Sequence, residues 1–257
     1  MLLPRIIPVL LVHKGGLVKT TQFKNPKYVG DPINAVKIFN EKIVDELAII
    51  DIDATTQDNS IDFNLIKNLA SECRMPMSYG GGVKNIEQIE KIISLGVEKI
   101  LISSAVVANP ELIREAAERV GSQSIVVVLD VKKHPIFKKY SIYTHNGKIK
   151  SDIKISDFLE RIIDLGAGEV VVNSINNDGL MKGYDMELIN IISKKVNIPI
   201  TALGGAGHFN DIKSLFKNFG IIGAGVGSMF VFKGKYKAVL INYPSVYDKN
   251  NIYCEQS

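Results

Sequence analysis

Cysteine is nearly missing from this 257-residue chain: Cys73 and Cys254 stand far apart and lack metal-ligand spacing. A disulfide framework and a thiolate metal site are therefore not expected, and inert thiols in a reducing, cytoplasmic setting are. Nothing calls for a metal or a cofactor. A dominant charge is lacking too. Lys+Arg 31 against Asp+Glu 27 leaves +4, spread along the chain, which predicts no nucleic-acid footprint but suits a basic pocket for an anionic metabolite. No apolar run approaches the length of a membrane span, so no membrane partner is expected. Residues 6–12 are apolar and follow Arg5, yet the run is short, contains Pro8 and offers no small-residue cleavage site. It reads as a buried strand and not as a secretory signal. No linker or low-complexity stretch divides the chain, whose length suits one α/β barrel better than two small domains.

What is present is alternation. Short β-branched runs at 5–12, 46–51, 75–79, 99–103, 124–130, 169–173, 198–202 and 221–226 are almost continuously apolar, the pattern of strands buried on both faces. Between them lie segments of amphipathic spacing at 32–43, 63–73, 86–95, 110–120, 155–165, 186–196 and 211–219, with a short last helix expected at 235–240. Gly96, Gly121, Gly166 and Gly220 follow four of these as stop signals. Eight strands each followed by a helix predict a (β/α)8 TIM barrel. Two stretches break the rhythm. Residues 13–30 form a long Gly- and Lys-bearing segment, and residues 134–150 read as a β-hairpin turning at Asn146-Gly147. Both follow a strand's carboxyl end, where barrel sites are built, so each is a candidate lid or partner surface.

The chain also repeats itself. IIPVLLVHK at Ile6 aligns with IVVVLDVKK at Ile125, ELAII at Glu46 with EVVVN at Glu169, MPMSYGGG at Met75 with IPITALGG at Ile198, and Gly96 onward with Gly220 onward. Two fused (β/α)4 halves, about residues 1–123 and 124–240, followed by a tail at 241–257, are the expectation. The repeat shows where chemistry should sit. Gly81 and Gly82 end strand three, Ser103 and Ser104 end strand four, and Gly204, Gly205, Gly227 and Ser228 hold the matching places in the second half. Glycine admits an anion close to the backbone, and N–H groups at a helix start complement phosphate, so each half offers one phosphate cradle.

Carboxylates collect at the same ends. Asp130 closes strand five, Asp51 closes strand two with Asp53 two residues on along the same face, and Asp178 follows strand six. Asp130 is the strongest general acid/base candidate. Its counterpart in the first half is Leu11. At the opposite ends of the strands, Arg5, Glu46, Lys99 and Glu169 bring two cations and two anions to one level, which predicts a ring around the barrel axis, because buried charges demand partners.

These residues, with RIIP at Arg5, Lys19, GDP at Gly30, DEL at Asp45, YGGGV at Tyr79, GSQ at Gly121, NNDG at Asn176, GYD at Gly183 and GGAG at Gly204, resemble the cyclase subunit (HisF-like) of imidazole glycerol phosphate synthase, over nearly the whole chain to about Phe232. The resemblance implies a barrel of two fused halves that takes ammonia from a glutaminase at its N-terminal face and reacts it with a phosphorylated small molecule at the other. It implies that Arg5, Glu46, Lys99 and Glu169 form the ammonia gate, that Asp130 is one of two catalytic aspartates, that the Gly and Ser pairs form the two phosphate sites and that Lys19 is the mobile-loop lysine; Asp178 is expected among the substrate-binding residues. The second aspartate falls on Leu11, which can neither give nor accept a proton; His13 is a weak substitute. The residues from Val231 to Pro244 also depart from the family's last helix and resemble a branch found with surface-polysaccharide pathways, where ammonia serves the amidation of a sugar with a separate sugar amidotransferase. Three readings follow: a glutamine-dependent amidation subunit, a histidine-pathway cyclase, and a silent conduit or scaffold.

Overall fold

Strands that are apolar on both sides pair in parallel and take cover under helices. The computed structural model describes residues 3–55 and 61–253. In it the eight runs are β1 (Arg5–His13), β2 (Leu47–Asp51), β3 (Met77–Gly80), β4 (Lys99–Ile102), β5 (Ile125–Lys133), β6 (Glu169–Ser174), β7 (Ile200–Leu203) and β8 (Gly223–Val226). Each strand pairs in parallel with the next. β8 pairs back onto β1 with Gly223 opposite Arg5, which closes the barrel. The fold is the (β/α)8 TIM barrel that the alternation predicted.

The outer layer is α1 (Pro32–Glu41), α2 (Phe63–Glu72), α3 (Ile86–Ser94), the short α4 (Ser104–Ala108), α5 (Glu111–Val120), α6 (Ile155–Asp164), α7 (Met186–Ser193) and α8 (Phe209–Phe219). Their starts are chemically marked. Asp31, Asp62, Asn85 and Asp185 each accept the backbone N–H three residues on, and Pro32 follows its cap with no N–H to lose. Phe39, Leu69, Ile89, Phe158 and Phe216 are fully buried between helices and strands. Each such side chain contributes roughly 1.5–3 kcal/mol relative to exposure. A separate cluster, Ile7, Val9, Ala48, Leu101, Val126, Val128 and Val171, fills the barrel's inside.

Several expected boundaries move. β3 and β7 start two residues late, after Pro76 and Pro199, whose carbonyls instead receive the N–H groups of Leu47 and Val170 at 2.9 Å. The segment after β1 is no irregular loop but an antiparallel pair, Gly16–Thr21 with Lys24–Gly30, laid onto β1 with Leu11 facing Val18. The hairpin after β5 forms as expected: Tyr140–Thr144 pairs with β5 and with Ile149–Lys150, and His145, Asn146 and Gly147 turn at positive φ.

The expected helix at 235–240 is wrong. Phe232–Lys233 and Ala238–Val239 form a small antiparallel pair instead, turning through Gly234 and Lys237 at φ 72° and 49°. The last helix is α9 (Val246–Tyr253), inside the stretch expected as a tail. It packs under the amino ends of the strands. Asp45 accepts hydrogen bonds from Ile6 N at 3.0 Å, Lys249 Nζ at 2.8 Å and Tyr253 Oη at 3.1 Å, and Tyr243 Oη donates to Ile6 O at 2.9 Å. Cys254 lies outside the described residues.

Candidate functional site

The carboxyl ends of the strands open onto a cavity of about 840 Å³, a size that suits a phosphorylated metabolite. Every cradle residue expected from the repeat lines it: Gly81, Gly82, Ser103 and Ser104 on one side, Gly204, Gly205, Gly227 and Ser228 on the other. Two of the glycines show why no other residue fits. At Gly81, φ +121°, a Cβ would stand 2.3 Å from Asp51 O, and at Gly204, φ +92°, it would stand 2.7 Å from Ser174 O. Main chain therefore forms the rim. Ser104 Oγ accepts the N–H of His145 at 3.1 Å, and Asn146 Nδ2 donates to Ile52 O at 2.7 Å, so the tip of the second hairpin reaches across to the end of β2.

Asp130 stands at the cavity wall on β5, where Asn173 of β6 is its register partner. Asn173 Nδ2 donates to Asp130 Oδ1 at 2.9 Å, and Ser103 Oγ lies 3.5 Å from Oδ2. Burial raises the Asp130 carboxyl to about 7; Asp178 adds to the rise, while the Asn173 and Ser103 hydrogen bonds oppose it. A carboxyl that is half ionised near neutral pH can both give and take a proton. Leu11 shares the cavity lining with it.

The first hairpin folds over the same mouth. Its Lys19 is buried, and burial lowers the ammonium to about 8 against the opposing pull of Asp178. Lys19 Nζ donates to Val9 O. It remains a cation at neutral pH, suited to an anionic ligand. Asp178 lines the cavity and also ties the hairpin down, accepting from Thr20 Oγ1 at 3.0 Å and Phe23 N at 3.2 Å. Burial raises its pKa against these bonds and the Lys19 charge.

At the other end of the strands the four expected charges meet. Arg5 Nη1 lies 2.6 Å from Glu46 Oε2, Arg5 Nη2 lies 2.8 Å from Glu169 Oε1, and Lys99 Nζ lies 3.0 Å from Glu46 and 2.9 Å from Glu169. Thr201 Oγ1 also donates to Glu169 at 2.6 Å. Burial opposes ionisation of Glu169, but Arg5, Lys99 and the Thr201 hydroxyl outweigh it and hold the carboxyl low. A small void of about 20 Å³ sits above this ring. Val9, Ile50, Leu101, Val128 and Leu203 line both the void and the mouth, so only apolar side chains separate them.

Two expectations fail. Asp53 does not share the cavity with Asp51: its carboxylate turns away to His13 Nδ1 at 2.7 Å and Lys14 N at 2.7 Å. His13 is thereby engaged outside the cavity and is no stand-in for an acid at position 11. Asp51 does line the mouth; burial raises its pKa while the Asp53 and Ala54 amides accepted by its side chain oppose the rise. Asn173, Phe23, His145 and Asn146 were missed. Asn173 was within reach of sequence reasoning, because it lies at the same inward level of its strand as Asp130 does, whereas Phe23 arrives only by the folding of a hairpin.

Comparison with known proteins agrees on one family. The chain matches the histidine biosynthesis protein family over residues 5–237. It is 51% identical over 253 residues to a provisionally named imidazole glycerol phosphate synthase subunit HisF of Leptospira interrogans, covering 98% of this chain and 100% of that protein. It is 55% identical over 249 residues to a provisionally named subunit hisF3 of Vibrio vulnificus, covering 97% and 96%. Imidazole glycerol phosphate synthase subunit HisF of Petrotoga mobilis is 40% identical over 217 residues, covering 84% and 86%.

Proposed function

This chain belongs to the histidine biosynthesis protein family, among the HisF-like subunits of imidazole glycerol phosphate synthase, and we propose that it serves a glutamine-dependent amidation system and not histidine ring closure. In this reading a HisH-like glutaminase docks on the N-terminal face of the barrel. Its ammonia passes the Arg5, Glu46, Lys99 and Glu169 gate and climbs the apolar interior. The two Gly and Ser cradles, Lys19 and Asp178 hold a phosphorylated acceptor at the mouth, Asp130 moves the proton, and the acceptor is a sugar intermediate of surface-polysaccharide biosynthesis, with a separate sugar amidotransferase acting downstream.

Leu11 carries this reading. The repeat sets it against Asp130, it lines the cavity, and His13 is occupied by Asp53. An acid/base pair reduced to one member forfeits about 10²–10⁴ in rate for a reaction that needs both. The charged ring supports the ammonia route, since two basic and two acidic side chains paired at the barrel floor serve no anion at the mouth.

The names of the relatives favour a second reading, a working cyclase. The decisive assay supplies the bisphosphorylated cyclase substrate and ammonium salts to the unmodified chain. Little turnover is expected, and Leu11→Asp is expected to add little because Leu203 and both hairpins shape the pocket as well. Strong turnover by the unmodified chain would overturn the amidation reading. For the route, Lys99→Ala is expected to lower the product formed per glutamine hydrolysed while leaving use of added ammonium salts intact. Unchanged coupling would count against a gate.

A further inference from the structure

Inward residues alternate along β5 and β6 in matching registers: Val126, Val128 and Asp130 on one, Glu169, Val171 and Asn173 on the other. Asn173 and Asp130 therefore stand side by side one level above Val128 and Val171, on the lining of the mouth. The Asn173 amide is held in one orientation, because Nδ2 donates to Asp130 Oδ1 at 2.9 Å. Its Oδ1 consequently faces elsewhere. This oxygen is buried and has no hydrogen-bond partner in the protein, the one such side-chain atom found among the described residues. A Cβ at Gly204 would come within 3.2 Å of it, so the oxygen packs close against the bare glycine.

A buried acceptor without a donor is costly, and native folds keep few of them. The donor it suits is small and is no phosphate, since an oxyanion placed between an amide oxygen and a carboxylate is repelled by both. The apolar neck of Val9, Ile50, Leu101, Val128 and Leu203 opens at this level. We propose that Asn173 Oδ1 and the Asp130 carboxylate form a seat for ammonia, as the neutral molecule or as ammonium, where the barrel interior meets the mouth. The inference deepens the ammonia-fed reading above and rests on it. One N–H of the guest goes to Asn173 Oδ1 and a second to Asp130 Oδ2, which Ser103 Oγ approaches only to 3.5 Å. When the guest is ammonium, passing the shared proton to the carboxylate leaves a neutral acid and ammonia, whose lone pair at first accepts from the new Asp130 O–H and reaches the acceptor once the ammonia turns. A carboxyl that burial has lifted to about 7 is a competent receiver for that proton.

The test is a titration of the full chain, isotopically labelled for NMR, with ammonium chloride and separately with potassium chloride, a cation of equal charge that donates no hydrogen bond. The Asn173 side-chain amide is identified by its loss in Asn173→Leu. Ammonium is expected to shift the Asn173 amide and the Asp130 carboxyl carbon saturably, and potassium is not. In Asn173→Leu, and in the milder Asn173→Thr should the first fold poorly, half-saturation read at Asp130 is expected to rise about tenfold, the worth of one hydrogen bond to a charged donor. An equal response to potassium, no saturable response in the unmodified chain, or unchanged half-saturation in a folded variant would overturn the seat. The two ideas fail separately. Unchanged coupling in Lys99→Ala removes the gate while ammonium still binds, whereas intact coupling without an ammonium response removes the seat alone.

Discussion

Asp130 shows how a single side chain writes its protonation into the stability of the fold. Its pKa is raised by burial to about 7, above that of an exposed aspartate, so the folded chain holds the proton more tightly than the unfolded one does. Stability then falls as pH climbs from about 4 towards 7, and the full penalty, on the order of 2–4 kcal/mol, applies above that window. Asp130→Asn removes the charge and can still accept from Asn173, so it is expected to abolish proton transfer while raising the urea midpoint at pH 8 much more than at pH 5. An equal change at both values would show that the carboxyl is already ionised in the folded protein at pH 5. The position of Asp130 could be read from the sequence, as the last inward residue of an apolar run. The raised pKa could not, because it depends on burial contributed by neighbouring strands.

Among the elements, the hairpin built from Gly16–Thr21 and Lys24–Gly30 pairs with itself and with β1, and its tip is tied down by Asp178, a residue from the far half of the chain. Asp178→Ala is expected to speed hydrogen exchange at the Phe23 amide about tenfold, the equivalent of one lost hydrogen bond, and to weaken phosphate binding at the mouth. Exchange that stays unchanged would mean that the Gln22 N–H bond to the Asp178 carbonyl suffices. This element was hidden from sequence reasoning, because its alternation is short and Gly- and Lys-rich. The eight barrel strands were plain, since strands covered on both faces leave unbroken apolar runs. The final helix was missed for the opposite reason. Its apolar residues do not gather on one face, and only the Ser245 and Asp248 pair, each accepting the other's backbone N–H, marked its start.

For the molecule as a whole, floor and tail act together. Asp45 joins the start of β1 to α9 through Ile6, Lys249 and Tyr253. Asp45→Ala strands the Ile6 N–H and frees the tail, a loss of about 1–3 kcal/mol that lowers the melting temperature by several degrees in a chain of this size. A melting temperature unchanged by the substitution would show that the tail only rests on the floor. At the rim, by contrast, glycine main chain forms part of the lining, where a side chain at Gly81 or Gly204 would strike a neighbouring backbone. That division of labour makes the architecture evolvable in a particular direction. The backbone rim cannot drift without harming the barrel, but inward positions such as 11, 173 and 203 each exchange one side chain at the bottom of an open bowl. A barrel of this kind can therefore change what it does through these few residues while the rim that shapes its mouth stays as it is.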